Sequence, residues 1–257
     1  MIGYAELAKT PIFSIKDVES FTGNKKTAYS VLYRLMNKHL VSKIRKNLYS
    51  CISVETGTVI ATKYQIASAI NTEACVSHIS ALEYYGYSNQ VRYVVYVSSM
   101  KSFNNFSFKG VRYVFTKSKF NKGVDFLDYA GGIRITDLER SVVDSIKDSE
   151  KIGGLEEILH CLNNIPWLDS AKLIRYLDMY NIQMVYQKVG FILSHYKESL
   201  KLTNELFDHC KNKAGKSVRY LSSQNRTGRF IKEWNLIVSR NFNFTNFIQD
   251  GEINNEI

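Results

Sequence analysis

Residues 24–49 read NKKTAYSVLYRLMNKHLVSKIRKNLY. The stretch holds seven positive charges, on Lys25, Lys26, Arg34, Lys38, Lys43, Arg45 and Lys46, and neither Asp nor Glu. Its apolar residues follow two rhythms. Ala28, Val31, Leu32, Leu35 and Met36 recur at intervals of three and four, which gathers them on one face of a helix. Asn24 stands where an N-cap belongs, because its side-chain oxygen can accept from an orphan amide of the first turn. Val41, Ile44, Leu48 and Tyr49 instead suit two short strands, with Lys46 and Asn47 at the turn between them. Asparagine tolerates the left-handed backbone that such turns require. The stretch is therefore expected to form a helix and then a β-hairpin.

The residues before it supply a partner helix. In SIKDVESFTG, residues 14–23, Ser14 with Asp17 three positions later reads as a capping box. Ile15, Val18 and Phe21 form an apolar stripe, and Gly23 is free to end the helix at positive φ. Two helices joined by a tight glycine turn, followed by a basic hairpin, make a winged helix-turn-helix over residues 1–53. In that fold the second helix enters the major groove. Lys25, Lys26, Thr27 and Ser30 at its start would then face base edges, Arg34 would also contact the DNA, and Lys43, Arg45 and Lys46 of the wing would reach phosphates or the minor groove. A merely solvated face usually mixes signs. A face of one sign points to a polyanion, here double-stranded DNA.

The chain as a whole agrees. It has 257 residues, a net charge of +10 and a pI near 9.3. A surplus of that size favours an anionic partner, nucleic acid before membrane. Charges interrupt every apolar run short of a membrane span, and MIGYAELAKTPIF lacks the apolar core of a signal peptide, so a cytoplasmic protein is expected. Cys51, Cys75, Cys161 and Cys210 include no CxxC pair and read as reduced core thiols rather than metal ligands. No metal or cofactor is expected.

Residues 57–257 read as a second domain, mixed α/β over 57–147 and mainly helical over 148–257. Helices are expected in VIATKYQIASAI and from about Ser77 to Tyr85. Strands are expected in VRYVVYVSS, GVRYVFTKS and DFLDYAGGIRIT. ITDLERSVVDSI should open a helix with Thr136 and Glu139 as a capping box, carrying an Arg140–Asp144 pair one turn apart. His78 is expected at the surface. The fold class is thus α+β: an N-terminal winged helix-turn-helix, then a mixed α/β and a mainly helical region. No Walker loop, GxGxxG, HExxH or GxSxG occurs, so no catalytic residue is expected. Asp137, Glu139 and Asp144 near a strand end leave a DNA-targeted nuclease as a lesser alternative. A basic C-terminal segment brings Lys211, Lys213, Lys216, Arg219, Arg226 and Arg229 together as a possible second patch.

The order of these pieces resembles the AbiEi-type antitoxins, the regulator half of type IV toxin–antitoxin and abortive-infection systems. The resemblance is carried by RKNLY at the wing, VSHISALEYYGY, IRITDLERSVVDSI, YQKVGFIL and WNLIVS in sequence, and spans nearly the whole chain. The family often has Gly where Asn47 stands and Arg where Gln187 and Lys188 stand. The resemblance implies a repressor that binds inverted repeats in its own promoter. It also implies antagonism of a cognate nucleotidyltransferase-like toxin, which in this family is held not to need a stable complex. The alternative is a winged-helix regulator whose later region senses a ligand or forms an oligomer, with no toxin.

Overall fold

Capping chemistry sets the first elements of the computed structural model, which describes residues 3–222, 227–240, 242 and 244. Tyr4–Leu7 form a single turn, α1. Helix α2 spans Ile15–Thr22, and the Ser14 backbone N–H donates to Asp17 Oδ2 at 2.6 Å. Gly23 ends α2 at φ 77°, where a side chain would be penalised. Helix α3 spans Lys25–Asn37, and Asn24 Oδ1 accepts from the Thr27 N–H at 2.8 Å. Strands β1 (Val41–Arg45) and β2 (Leu48–Cys51) pair antiparallel, with Asn47 at φ 60° in the turn. Phe13 exchanges two backbone hydrogen bonds with Tyr49, at 3.0 and 2.9 Å, and so adds a third rung to the hairpin. Leu7, Phe13, Val18, Ala28, Leu32, Leu35, Val41 and Cys51 are buried together in one cluster.

These elements belong to a compact unit made of Met1–Val76 and Tyr93–Ile135. The rest of the unit is α4 (Lys63–Ser68) and a mixed sheet. Its strands are β3 (Cys75–Val76), β4 (Val94–Ser99), β5 (Phe106–Phe108), β6 (Val111–Lys117), β7 (Val124–Leu127) and β8 (Ile133–Thr136). Among the described residues their order is β5-β6-β4-β3-β8-β7. Pairs β4–β6 and β3–β8 are parallel, while β3–β4 and β5–β6 are antiparallel. Val76, Val95, Val97, Tyr113 and Ile135 are fully buried. Arg134 ties α4 and the following loop to the sheet by donating to Ala74 O at 2.9 Å, Asn71 O at 2.7 Å and Ser68 O.

The second unit comprises Ser77–Arg92 and Thr136–Ile257. Its helices are α5 (Ile79–Tyr84), α6 (Leu138–Lys147), α7 (Glu156–Asn164), α8 (Ser170–Tyr180), α9 (Gln183–Ser194) and α10 (Asn204–Lys213). A small sheet of β9 (Arg219–Tyr220), β10 (Gly228–Ile231) and β11 (Leu236–Ser239) has the order β10-β11-β9. Gly190 lets α9 lie flat against Trp234, since a Cβ there would stand 2.1 Å from the indole ring. The chain is thus an α+β protein, mixed in the first unit and mainly helical in the second.

Two local expectations are corrected. Thr136 and Glu139 do not form a capping box on α6. Thr136 ends β8 and its hydroxyl lies 2.7 Å from Ser141 Oγ, while Asp137 is the N-cap and accepts from the Arg140 N–H at 2.9 Å. Glu139 turns instead to the start of α8, where its Oε1 accepts from the Asp169 N–H at 3.0 Å. His78 is not at the surface. It is buried, with Nδ1 2.8 Å from Ser77 Oγ and Nε2 3.4 Å from Asp148 Oδ2. Its φ of 55° also holds back the start of α5 to Ile79. The expected Arg140–Asp144 pair is present, Nε to Oδ2 at 3.4 Å, and both side chains are buried.

Candidate nucleic-acid interface

Helix α3 turns Ala28, Leu32 and Leu35 inward, with Val31 and Met36 packed at the margin of the same cluster, and leaves its opposite side to solvent. Lys25, Lys26, Thr27, Ser30 and Arg34 are all exposed there. Thr27 also donates its N–H to the Asn24 cap, and Ser30 Oγ donates to Lys26 O at 3.1 Å. The hairpin adds exposed Lys43 and Lys46. Beneath it, Tyr49 has its hydroxyl held above the ordinary phenol range, first by burial and then by the neighbouring Tyr29. No Asp or Glu occurs between Glu19 and Glu55, so nothing in that stretch neutralises these cations.

Arg45 behaves differently from the other six bases of residues 24–49. Its guanidinium carbon lies 5.0 Å from the Phe106 ring centre and 5.8 Å from that of Phe103, and its Nη1 is buried without a hydrogen-bond partner. The charge is engaged with aromatic faces rather than offered to solvent. Arg45 therefore joins the hairpin to β5 and its flanking loop within the same unit.

That pairing leads to residues which the reading of local patterns passed over. From Tyr84 to Val124 the chain has no acid and seven bases: Arg92, Lys101, Lys109, Arg112, Lys117, Lys119 and Lys122. The last six lie on or beside the β5–β6 hairpin, at one edge of the sheet, and all are exposed. Lys101 is paired with Glu73 at 3.0 Å. Lys109, at φ 48°, and Gly110, at φ 80°, make the hairpin's turn. The signal was in the sequence as a second run of one-signed charge. It was hidden because the bases are spread through strand-like text instead of clustering.

The C-terminal bases are divided. Lys211 Nζ sits 2.6 Å from Glu233 Oε1 and 5.6 Å from the Trp234 ring centre, so it is tied down. Lys213, Lys216, Arg219 and Arg229 are exposed on the second unit, and Arg226 lies outside the described residues. The acids weighed for a nuclease are each engaged. Asp137 accepts from Tyr176 Oη at 2.5 Å, Asp144 accepts from Tyr180 Oη at 2.5 Å, and Glu139 faces Lys172 Nζ at 3.3 Å. Among the described residues no group of three or more His, Cys, Asp and Glu is placed to hold a metal ion. All four cysteines are buried and outside any disulfide, and burial pushes the thiols of Cys51 up to about 11 and of Cys161 and Cys210 up to about 12. No helix among the described residues is long and apolar enough to cross a membrane.

No known family model matches the chain, and no curated protein does. The chain is similar to a solved structure, that of the RV2827C protein from Mycobacterium tuberculosis, at 13% identity and a TM-score of 0.65, over 91% of this chain and 89% of that one. At that identity the likeness is one of fold.

Proposed function

We propose that the chain is a DNA-binding transcriptional repressor that also serves as the antitoxin of a type IV toxin–antitoxin system, acting in the cytoplasm. One observation carries the first half. Helix α3 and the β1–β2 hairpin hold Lys25, Lys26, Arg34, Lys43 and Lys46 on the open side of one small core, in a segment without a single acid. Duplex DNA suits that surface. A helix of roughly 10–12 Å fits a major groove about 12 Å wide, and phosphates line its walls. The winged helix-turn-helix reading gives α3 the groove and Lys43 and Lys46 the backbone. The second half rests on the AbiEi-like order of motifs, which implies a nucleotidyltransferase-like toxin as the thing opposed. No catalytic role is proposed for any residue.

The test has two readouts. The full chain should bind a duplex carrying its own promoter, and the log–log slope against salt should be near −0.9 for each phosphate neutralised. Affinity that does not change with salt would refute the electrostatic interface. A Lys25→Ala/Lys43→Ala variant should lose promoter repression. It should still rescue cells in which the neighbouring toxin is expressed from an unrelated promoter. If a folded, normally abundant variant fails to rescue, the antidote is not separable from DNA binding.

A further inference from the structure

Two stripes run side by side along the solvent side of α3, each at a spacing of four residues. One is Lys26, Ser30, Arg34 and Lys38; the other is Lys25, Tyr29, Tyr33 and Asn37, and every member of both is exposed. Tyr29 is 51% exposed and Tyr33 68%. The buried side of the helix is already filled by Ala28, Leu32 and Leu35, so neither ring has a place in the core. A single exposed aromatic residue would need no explanation. Two stacked along a helix, beside a row of cations, make an apolar strip in a positive frame.

A partner for that strip must offer apolar groups and negative charge together. A protein surface would have to supply carboxylates for Lys25, Lys26 and Arg34 or leave them buried and unpaired. The major groove supplies both features unaided. Its walls are phosphates, and its floor carries the C5-methyl group of each thymine, which apolar side chains contact. The spacing suits it as well. Four residues of helix rise about 6 Å, close to two base-pair steps of roughly 3.4 Å. One helix can thus set both rings against thymines in two or three adjacent base pairs.

We infer that Tyr29 and Tyr33 are specificity-determining residues that read thymine methyl groups, so that A·T pairs at fixed positions belong to the operator. This rests on the DNA-binding reading above and adds the chemistry of what is read.

The experiment starts with a duplex selected by the full chain from a random-sequence pool. Each thymine is then replaced singly by deoxyuridine, which keeps base pairing and removes only the methyl. Wild type should lose about three- to tenfold in affinity at one or more positions. Tyr29→Ala or Tyr33→Ala should lose a similar factor and then be indifferent to deoxyuridine at its own position. The matching Phe variants keep the ring and should keep the sensitivity. Circular dichroism checks that the variants, altered only at exposed positions, remain folded.

Wild type that binds the selected duplex yet ignores deoxyuridine everywhere overturns the inference and leaves the DNA reading standing. So do Ala variants with undiminished sensitivity at every position. A pool that yields no preferred sequence overturns it too, because nothing is then being read. Failure of the full chain to bind any duplex defeats the DNA reading, and this inference with it. Ala variants that turn a dimer into a monomer on sedimentation, with operator affinity intact, would assign the strip to a second copy of the chain instead.

Discussion

The backbone N–H of Ile15 donates to Asn47 Oδ1 at 3.1 Å, across 32 residues of sequence. Asn47 therefore does two things. It takes the left-handed conformation that the β1–β2 turn needs, and its side chain satisfies the first amide of α2, one of the donors a helix cannot pair internally. Asn47→Gly keeps the turn and loses the bond, at an expected cost of about 0.5–1.5 kcal/mol. Asn47→Ala loses the bond and adds roughly 1–2 kcal/mol of left-handed strain. Urea unfolding and hydrogen exchange at the β1–β2 amides measure both. An Ala variant no worse than the Gly variant would mean that the turn does not demand the left-handed residue.

Arg45 separates a packing role from a solvent-facing one on the β1–β2 hairpin. Because its guanidinium lies over Phe106 and Phe103, Arg45→Ala should reduce stability by about 1–2 kcal/mol by removing the cation–π attraction and the packing of the stem. Arg45→Met keeps the stem and removes the buried, unpartnered Nη1, so it should cost less. Lys43→Ala and Lys46→Ala should leave the unfolding midpoint in place and weaken binding to all DNA sequences alike. A midpoint that moves equally in all three Ala variants would contradict this division.

The contrast also marks how far the sequence could be read. Residues 14–49 were legible because most of their determinants are local: Ser14 with Asp17, Gly23, Asn24 and the left-handed turn at Asn47 each act within a few positions, whereas the bond from Ile15 to the Asn47 side chain does not. The direction of Arg45 was not legible, because the rings that hold it come from a loop and strand about sixty residues later. Strands β3 and β5 are two and three residues long, too short to show an alternating pattern. Helix α6 misled most. Its Glu139 read as half of a capping box and its Arg140 and Asp144 as a pair one turn apart, yet Asp137 is the cap and all three are buried. Tyr180, one turn beyond Tyr176 on α8, donates to Asp144, while Tyr176 reaches the Asp137 cap. Nothing within α6 announces those partners. The tethering of Lys211 by Glu233 and Trp234 was equally out of view.

Asp148 should set the acid limb of stability in the second unit. Burial by itself would raise its pKa. The hydrogen bond from His78 and the charge of Lys147 outweigh that and hold the carboxyl well below the usual carboxylate range. Lys151 Nζ adds an ion pair at 2.7 Å. A folded-state pKa below the unfolded value of about 3.9 means stability that is fully present at neutral pH. It is lost as pH falls from about 5 toward the folded pKa. Asp148→Asn should destabilise the chain at pH 7 by on the order of 3 kcal/mol, since it leaves Lys147 beside a neutral group. The gap between variant and wild type should then narrow at pH 4 and below. A gap that is constant from pH 7 to pH 3 would show that the charge of Asp148 contributes nothing.

The β5–β6 hairpin offers the sharpest test of how far a DNA footprint extends. Lys109, Arg112 and Lys117 are exposed at the sheet edge, and Arg45 joins the β1–β2 hairpin to Phe106 on the neighbouring strand. Two arrangements are physically distinct. If the hairpin is a solvated face, its charges act only through long-range attraction, which salt screens within about 10 Å at 0.1 M. If it lies along the backbone, each cation displaces counterions locally. A Lys109→Ala/Arg112→Ala/Lys117→Ala variant should then reduce the salt slope by up to about 0.9 for each phosphate it no longer neutralises. Duplex length distinguishes the two. A duplex just covering the selected operator should be bound almost as tightly by the variant as by wild type. A duplex with flanking base pairs should be bound more weakly by the variant. Lys101→Ala is the internal control, because Lys101 is already paired with Glu73 and its removal should change the slope least. An unaltered slope in the triple variant on both duplexes would confine the proposed DNA contact to α3 and the β1–β2 hairpin.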